Sequence, residues 1–309
     1  MPKKSIALVG AGKVGSVLAV LLKDRGFELT GVVSRQEESA RRLGERLAVT
    51  WSTAPGDIIR QADIVLLTVP DRLIGEVAAT TARSGAFRAK QVVLHTCGSL
   101  TAAILAPAKA DGAFTGSLHP LQSFAAADVV PGALEGVYFA LDGDPEAVTA
   151  AEELVNALGG QSFFVPPSER ALYHAGACIL SNYLVALAHW ATGLYARFGL
   201  TRTEAWRALR PLLTGTVENI DCLGVPAALT GPASRGDLST IARHLTALDD
   251  MDTGNCELYC RLGLYTAEIG REAGRITKIQ AAAMGDLFED RLNGGNKNET
   301  NHNGDHPGP

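Results

Sequence analysis

The chain has no uninterrupted apolar run of the roughly 18 residues that a membrane-crossing helix needs. Met1-Pro2-Lys3-Lys4 leads straight into an apolar strand without the core of a signal peptide. A cytoplasmic protein without a membrane partner is expected. Excess positive charge is also missing, since 28 Lys and Arg stand against 33 Asp and Glu for a net charge of −5. That balance gives no general attraction to nucleic acid or to anionic lipid, so the expected partner is a small molecule. Cysteine is sparse, and the five present are scattered and odd in number, which suits reduced thiols better than a disulfide framework. Cys256 and Cys260 lie one helical turn apart with no second Cys or His pair at zinc spacing. They read as packing on a helix face, and no metal site is expected. There is no internal repeat. What is present is a 309-residue chain, 46% hydrophobic, long enough to bury a sizeable core and to divide into two domains.

The most informative stretch is Ser5-Ile6-Ala7-Leu8-Val9-Gly10-Ala11-Gly12-Lys13-Val14-Gly15. Its apolar run fits a parallel strand covered on both faces. Gly10, Gly12 and Gly15 then fill G-x-G-x-x-G, in which the first glycine permits a tight turn, the second lets backbone approach a pyrophosphate and the third lets the helix pack on the strand. The helix that follows, through Val17, Leu18, Leu21 and Leu22, points its free N–H groups and positive dipole end at that turn. Gly10, Ala11, Gly12, Lys13, Val14 and Gly15 are therefore the first candidate cofactor residues.

The second strand, over residues 29–33, ends in Ser34-Arg35, nineteen and twenty positions beyond Gly15, with no acidic residue there to grip a ribose 2′-OH. A small polar residue followed by an arginine favours the 2′-phosphate of NADP over NAD. Arg41 and Arg42 are alternative phosphate partners. The pattern then predicts a helix over 37–47, a brief strand over 49–51 and a buried strand over 64–69 that stops at Val69-Pro70-Asp71, a rigid turn beside the cofactor. After a helix over 71–82, strands over 92–95 and 114–117 deliver two loops, Thr96-Cys97-Gly98-Ser99 and Leu118-His119-Pro120-Leu121-Gln122-Ser123-Phe124, to the sheet's carboxyl edge. Ligands of open parallel sheets bind there. A strand over 137–141, a helix over 145–158 and a strand over 162–165 complete the sheet.

Pro166-Pro167 marks a domain boundary, beyond which the pattern turns from strand period to helix period. Helices are expected over 168–197, 202–220, 238–248, 255–273 and 277–293. This gives an α/β fold, a Rossmann-type mostly parallel sheet domain over residues 1–166, followed by an all-helical substrate and dimerisation domain over 167–292. Residues 293–309, without an apolar anchor, are expected to be disordered. On the long helix, His174 and Asn182 are about two turns apart and make a polar face in an Ala- and Leu-rich segment, suited to lining a cleft between domains. Arg235 lies in a loop before a helix that Asp237 is placed to cap; it either binds a substrate carboxylate or pairs at a subunit interface. The Ala, Leu and Gly content of 171–195 suits burial against a second copy, and a homodimer is expected.

This order of elements resembles the group that holds 6-phosphogluconate, prephenate and pyrroline-5-carboxylate oxidoreductases, over residues 5–292. Cys97-Gly98-Ser99 and Ser117-Leu118-His119-Pro120 are similar to two elements of prephenate dehydrogenases, as is Tyr173-His174 through Ser181-Asn182-Tyr183-Leu184 to a stretch on their first long helix. A narrower resemblance is to a bacterial family with a Rossmann-like domain followed by domain of unknown function 2520, through His119 to Phe124, His174 to Tyr183 and Leu229 to Asp237. The resemblance implies a 6-phosphogluconate-dehydrogenase-like helical domain and an NADP oxidoreductase. In it His119 exchanges a proton with the substrate, Ser99 donates a hydrogen bond to substrate or nicotinamide, His174 and Asn182 join them, and Gln122 and Arg235 hold substrate. Cys178 stands where the hydroxy-acid members of the group carry a catalytic lysine, which shifts weight onto His119 or His174. The implied reaction is hydride transfer between nicotinamide and a small carboxylated hydroxy, oxo or imino compound. The alternatives are an NADP-binding sensor or assembly protein without turnover, and a pyrroline-5-carboxylate reductase.

Overall fold

Strand β1 (Ile6–Val9) splits its side chains between two cores, and that alternation sets the architecture. Ile6 and Leu8 join one buried cluster while Ala7 and Val9 join the other. The period-two division repeats in β4 (Ile64–Leu67) and β5 (Val92–His95), as required of parallel strands covered on both faces. The computed structural model describes residues 4–124, 130, 132–249, 251 and 253–295. Within them β1, β2 (Leu29–Val33), β3 (Trp51–Ser52), β4, β5, β6 (Phe114–Pro120), β7 (Tyr138–Gly143) and β8 (Gln161–Phe164) form one sheet in the order β3-β2-β1-β4-β5-β6-β7-β8. Every pairing is parallel except β6 with β7.

Helix α1 (Lys13–Asp24), α2 (Glu37–Leu47) and, after β7, Pro145–Ala157 cover one face through residues such as Leu18, Leu22, Leu43 and Leu154. Ile58, Ile59, Ile74, Ala78 and Leu105 cover the other. Each buried aliphatic side chain is worth roughly 1.5–3 kcal/mol against an exposed one, so the two faces supply most of what holds this sheet together.

Three sequence expectations are corrected. Residues 118–120 are strand rather than loop: β6 outruns β5, whose pairing ends at His95 with Ser117, and continues against β7 with His119 opposite Ala140 and Pro120 opposite Phe139. A proline is tolerated there because one side of the strand has lost its neighbour. The long helix is not uniform, since Arg170–Cys178 (α3 here) and Leu184–Tyr195 (α4 here) are joined by a wide π-helical turn at Ile179–Tyr183. That turn takes in about one extra residue, so the direction of Asn182 is set by it and not by a 3.6-residue period. The final helix runs Lys278–Gly295, so residues 293–295 are helical where disorder is expected; the rest of that segment lies outside the described residues.

The chain divides into two compact units at Leu187/Ala188, later than Pro166-Pro167 because the first turns of the long helix pack with the sheet. The second unit has its own small core of Ile241, Leu245, Cys260, Ala267, Met284 and Phe288. Its helix Arg202–Leu223 opens with a capping box between Thr201 and Glu204. Asp237 accepts from the Thr240 hydroxyl at 2.7 Å and from the Thr240 backbone N–H at 3.0 Å, which hold its carboxyl down at about 2. One helical stretch, Pro167–Phe198, is long and apolar enough to cross a membrane, and none of its most apolar window is buried within the chain.

Candidate functional site

The turn after β1 is closed by backbone. Gly10 donates to the Val33 carbonyl at 2.8 Å, and Thr68 returns its N–H to the Val9 carbonyl at 2.8 Å and its hydroxyl to the Gly10 carbonyl at 2.6 Å. Gly10 sits at φ +110°, where a side chain is strained, and a Cβ there would lie 2.7 Å from the Thr68 backbone. At Gly15 a Cβ would strike the Gly10 carbonyl and the Thr68 hydroxyl. Gly12 differs, because a Cβ would meet nothing closer than the Thr68 carbonyl at 4.0 Å. Two glycines are therefore required by packing, and the third keeps space open.

That space faces the start of α1, where Gly12 is the N-cap without a side-chain cap and the first turn holds no acidic residue. Unpaired N–H groups at a helix start attract phosphate. A cavity of about 520 Å³ extends from Gly10, Ala11 and Gly12 past Ser34, Arg35 and Ser39 to Val69 and Pro70. Arg35 has no hydrogen bond or ion pair among the described residues, whereas Arg41 is held by Glu38 at 2.9 Å and Glu45 at 3.1 Å. Of the arginines near the second strand, Arg35 is the one that both borders the cavity and keeps its donors unused. The open Gly12 and the uncapped helix start together fit the phosphates of a dinucleotide.

Further along the same carboxyl edge, at the ends of β5 and β6, the site is made of side chains. His119 Nδ1 and the Tyr173 hydroxyl share a hydrogen bond of 2.6 Å. The His119 ring stands edge-on to both Tyr173 and His174, with centroids 5.7 and 5.8 Å away. Gly98 makes this crowding possible, since a Cβ there would strike His174 Nδ1 and lie 2.8 Å from His119 Nε2. His174 Nδ1 is buried without a partner, while His119 Nε2 has no protein partner among the described residues and is not closed off from solvent.

Beneath lies Arg170, 1% exposed, which donates to the Cys97 carbonyl at 3.0 Å and stands 3.9 Å from the fully buried Asp142. Its guanidinium carbon is 5.5 Å from the Tyr173 ring centroid. Desolvation, then Arg170 and His174, push His119 down to about 4, with Asp71 opposing. His95 is also lowered to about 4, mainly by burial. It donates from Nε2 to the Thr101 carbonyl at 3.2 Å and accepts at Nδ1 from the Cys97 N–H at 3.2 Å, which fixes its neutral form. Burial pushes the Tyr173 phenol up to about 12 and raises Asp142, the latter opposed by Arg170.

Gly98, His119 and His174 are thus brought together, as are the glycine turn, Ser34, Arg35, Val69 and Pro70. Lys13 and Val14 occupy the first turn of α1. Ser99 is exposed and shares a 3.3 Å contact with the Cys97 thiol. Gln122 is exposed and accepts from the N–H of Ser123 at 2.9 Å. Asn182 is exposed on the π turn, and no hydrogen bond links it to His119 or His174 among the described residues. Arg235 is exposed at the end of a short turn, Ala233–Arg235, in the second unit. Sequence reasoning missed Tyr173, Arg170 and Asp142. A signal existed, because Arg170, Tyr173 and His174 stand at i, i+3 and i+4 and so share one helix face.

A parallel sheet whose first strand turns on glycines into a helix defines a Rossmann-like protein, and residues 1–120 match the Rossmann-like domain. Residues 137–266 match a domain of unknown function, DUF2520. No curated protein matches the chain. Among solved structures it is similar to protein TM1727 from Thermotoga maritima, at 26% identity and a TM-score of 0.68 over 86% of this chain and 98% of that one. BF3122 from Bacteroides fragilis, a candidate NADP oxidoreductase, is similar at 23% identity and a TM-score of 0.68, over 88% and 98%. A pyrroline carboxylate reductase from Plasmodium falciparum, solved with NADP bound, shares the fold at 14% identity and a TM-score of 0.55, over 92% and 99%.

Proposed function

We propose that the chain is an NADP-dependent oxidoreductase that transfers hydride between nicotinamide and a small carboxylated hydroxy, oxo or imino substrate. One observation carries this reading: a phosphate-ready turn and an imidazole whose Nε2 has no protein partner among the described residues lie on one edge of one sheet. The names of similar solved structures agree in kind with it.

Bound NADP would supply the hydride acceptor or donor. The protein's own residues do the rest. The turn from Gly10 to Gly15 and the start of α1 would hold the pyrophosphate, with Ala11, Lys13 and Val14 contributing backbone. Ser34 and Arg35 would take the 2′-phosphate, since the guanidinium fork matches phosphate oxygens. Val69 and Pro70 form a rigid wall, and His119 Nε2 exchanges the proton that accompanies hydride transfer. His174 borders His119, while Ser99, Asn182 and Gln122 are proposed to contribute from their exposed positions.

The helix carrying Tyr173 and His174 leaves Leu172, Leu180 and Val185 exposed at 71%, 80% and 70%. A segment pinned to a sheet by His119, Gly98 and Cys97 is better matched to a second protein surface than to a bilayer, so the chain is proposed to work as a homodimer. Light scattering at micromolar concentration should give twice the monomer mass; a monomer would contradict the dimer. The enzymatic reading is tested by screening hydroxy, oxo and imino acids with NADP and NADPH. Turnover should be lost in His119→Ala. NADP binding with no turnover of any of these would favour the sensor alternative.

A further inference from the structure

Tyr173 is the one direct hydrogen-bond partner of the His119 side chain among the described residues, and it comes from a helix 54 residues away in sequence. The direction of that bond decides what His119 can offer a substrate. A phenol has one proton to give, and no other acceptor is within hydrogen-bond reach of the Tyr173 hydroxyl among the described residues. Burial keeps the phenol protonated well above neutral pH. A hydroxyl that spends its proton on the one acceptor in reach donates to Nδ1 and requires it bare, whereas a proton on Nδ1 would turn the hydroxyl's own proton away from every acceptor among the described residues. Burial, and then the charge of Arg170 held beside the Tyr173 ring by the Cys97 carbonyl, disfavour a second proton on the imidazole.

We propose that Tyr173 is the positioning residue that locks His119 with its single proton on Nε2, so that the site presents an N–H donor and takes a substrate through an oxygen acceptor. The acceptor is the carbonyl oxygen of an oxo acid; as that oxygen takes the Nε2 proton and becomes a hydroxyl, Nδ1 takes the Tyr173 proton, so the ring stays neutral and the phenol regains a proton from water. A protonated imine would set its own N–H against that of Nε2, with the other His119 nitrogen already engaged by Tyr173 and His174 Nδ1 buried against Gly98. This rests on the oxidoreductase reading above and narrows it from hydroxy, oxo or imino substrates to the oxygen pair.

The test is long-range ¹⁵N–¹H correlation spectroscopy of the histidine side chains in the full ¹⁵N-labelled chain at neutral pH, with His119→Asn used to assign the His119 signals. The expected result is protonated Nε2 and bare Nδ1 in the wild type, and a mixture of the two neutral forms in Tyr173→Phe. A proton on Nδ1 in the wild type overturns the proposal without any variant being needed. An unchanged Tyr173→Phe spectrum overturns the role of Tyr173. In a second arm, NADPH oxidation is followed with pyruvate and with 1-pyrroline-5-carboxylate as probes; reduction of the imine alone overturns the oxygen assignment. Failure to bind NADPH at all would sink the oxidoreductase reading while leaving the tautomer measurement standing.

Discussion

The glycine turn and the His119 corner share one sheet edge, yet the first is made of backbone and empty space and the second of side chains packed on one another. At the turn, Gly10 and Gly15 cannot accept a Cβ, and the open position is Gly12. At the corner, Gly98 is filled from outside by two imidazoles, and the buried Arg170 and Asp142 lie beneath. The difference separates binding from proton chemistry: a turn of N–H groups can hold phosphate without titrating, while the corner carries the groups whose protonation matters. It also predicts that the two can be broken separately.

The largest expected effect is at the corner. Arg170→Met removes the cation beside Asp142 and leaves a buried carboxylate uncompensated, which should cost about 3–5 kcal/mol in urea unfolding. NADPH affinity of the folded variant should stay near wild type. If affinity falls in parallel with stability, the two regions are not separable.

Acid should act on the corner next. His95 and His119 are both held neutral with values near 4, against 6.5 for the free side chain. Between those limits the unfolded state binds more protons than the folded one, so stability falls as pH drops from about 6.5 toward 4 and is flat above. For the fully buried His95 the full span is on the order of 3 kcal/mol. A flat stability profile between pH 7 and 4.5 would contradict the neutral imidazoles.

At the turn, Gly12→Val should leave the urea midpoint nearly unchanged, because its Cβ points into open space, and yet weaken NADPH by about 100-fold, or ~2.7 kcal/mol. A loss of stability with affinity retained would mean that Gly12 is a packing residue. The smallest effect is expected from Arg35→Ala, which should weaken NADPH about tenfold and NADH hardly at all, the difference being one charge-assisted contact to the 2′-phosphate. Equal losses for both would remove the role given to Arg35.

The same division explains what could be read from the sequence. The turn was legible because its rules are local: an apolar run, three glycines at fixed spacing and a helix, followed by Ser34-Arg35 at the next strand end. The centre of the sheet was legible for the same reason, since β1, β4 and β5 are short apolar runs bounded by turn residues. The corner was only half legible. His119 and His174 stand out as residue types, but Tyr173 acquires its role from a contact across 54 residues, and no periodicity encodes that. Asp142 reads as the end of a strand until Arg170 is placed beside it. Strand character at His119 and Pro120 was hidden because a His-Pro pair signals a turn, and pairing with β7 overrides that signal. The π turn at Ile179–Tyr183 follows from no residue pattern that we can identify.

The account stands on a dinucleotide seated at the glycine turn, and titration calorimetry of the full chain with NADPH and then NADH tests this most directly. Saturable binding of one NADPH per chain, clearly tighter than NADH and weakened about 100-fold in Gly12→Val, is the predicted result. No measurable binding of either coenzyme would contradict it.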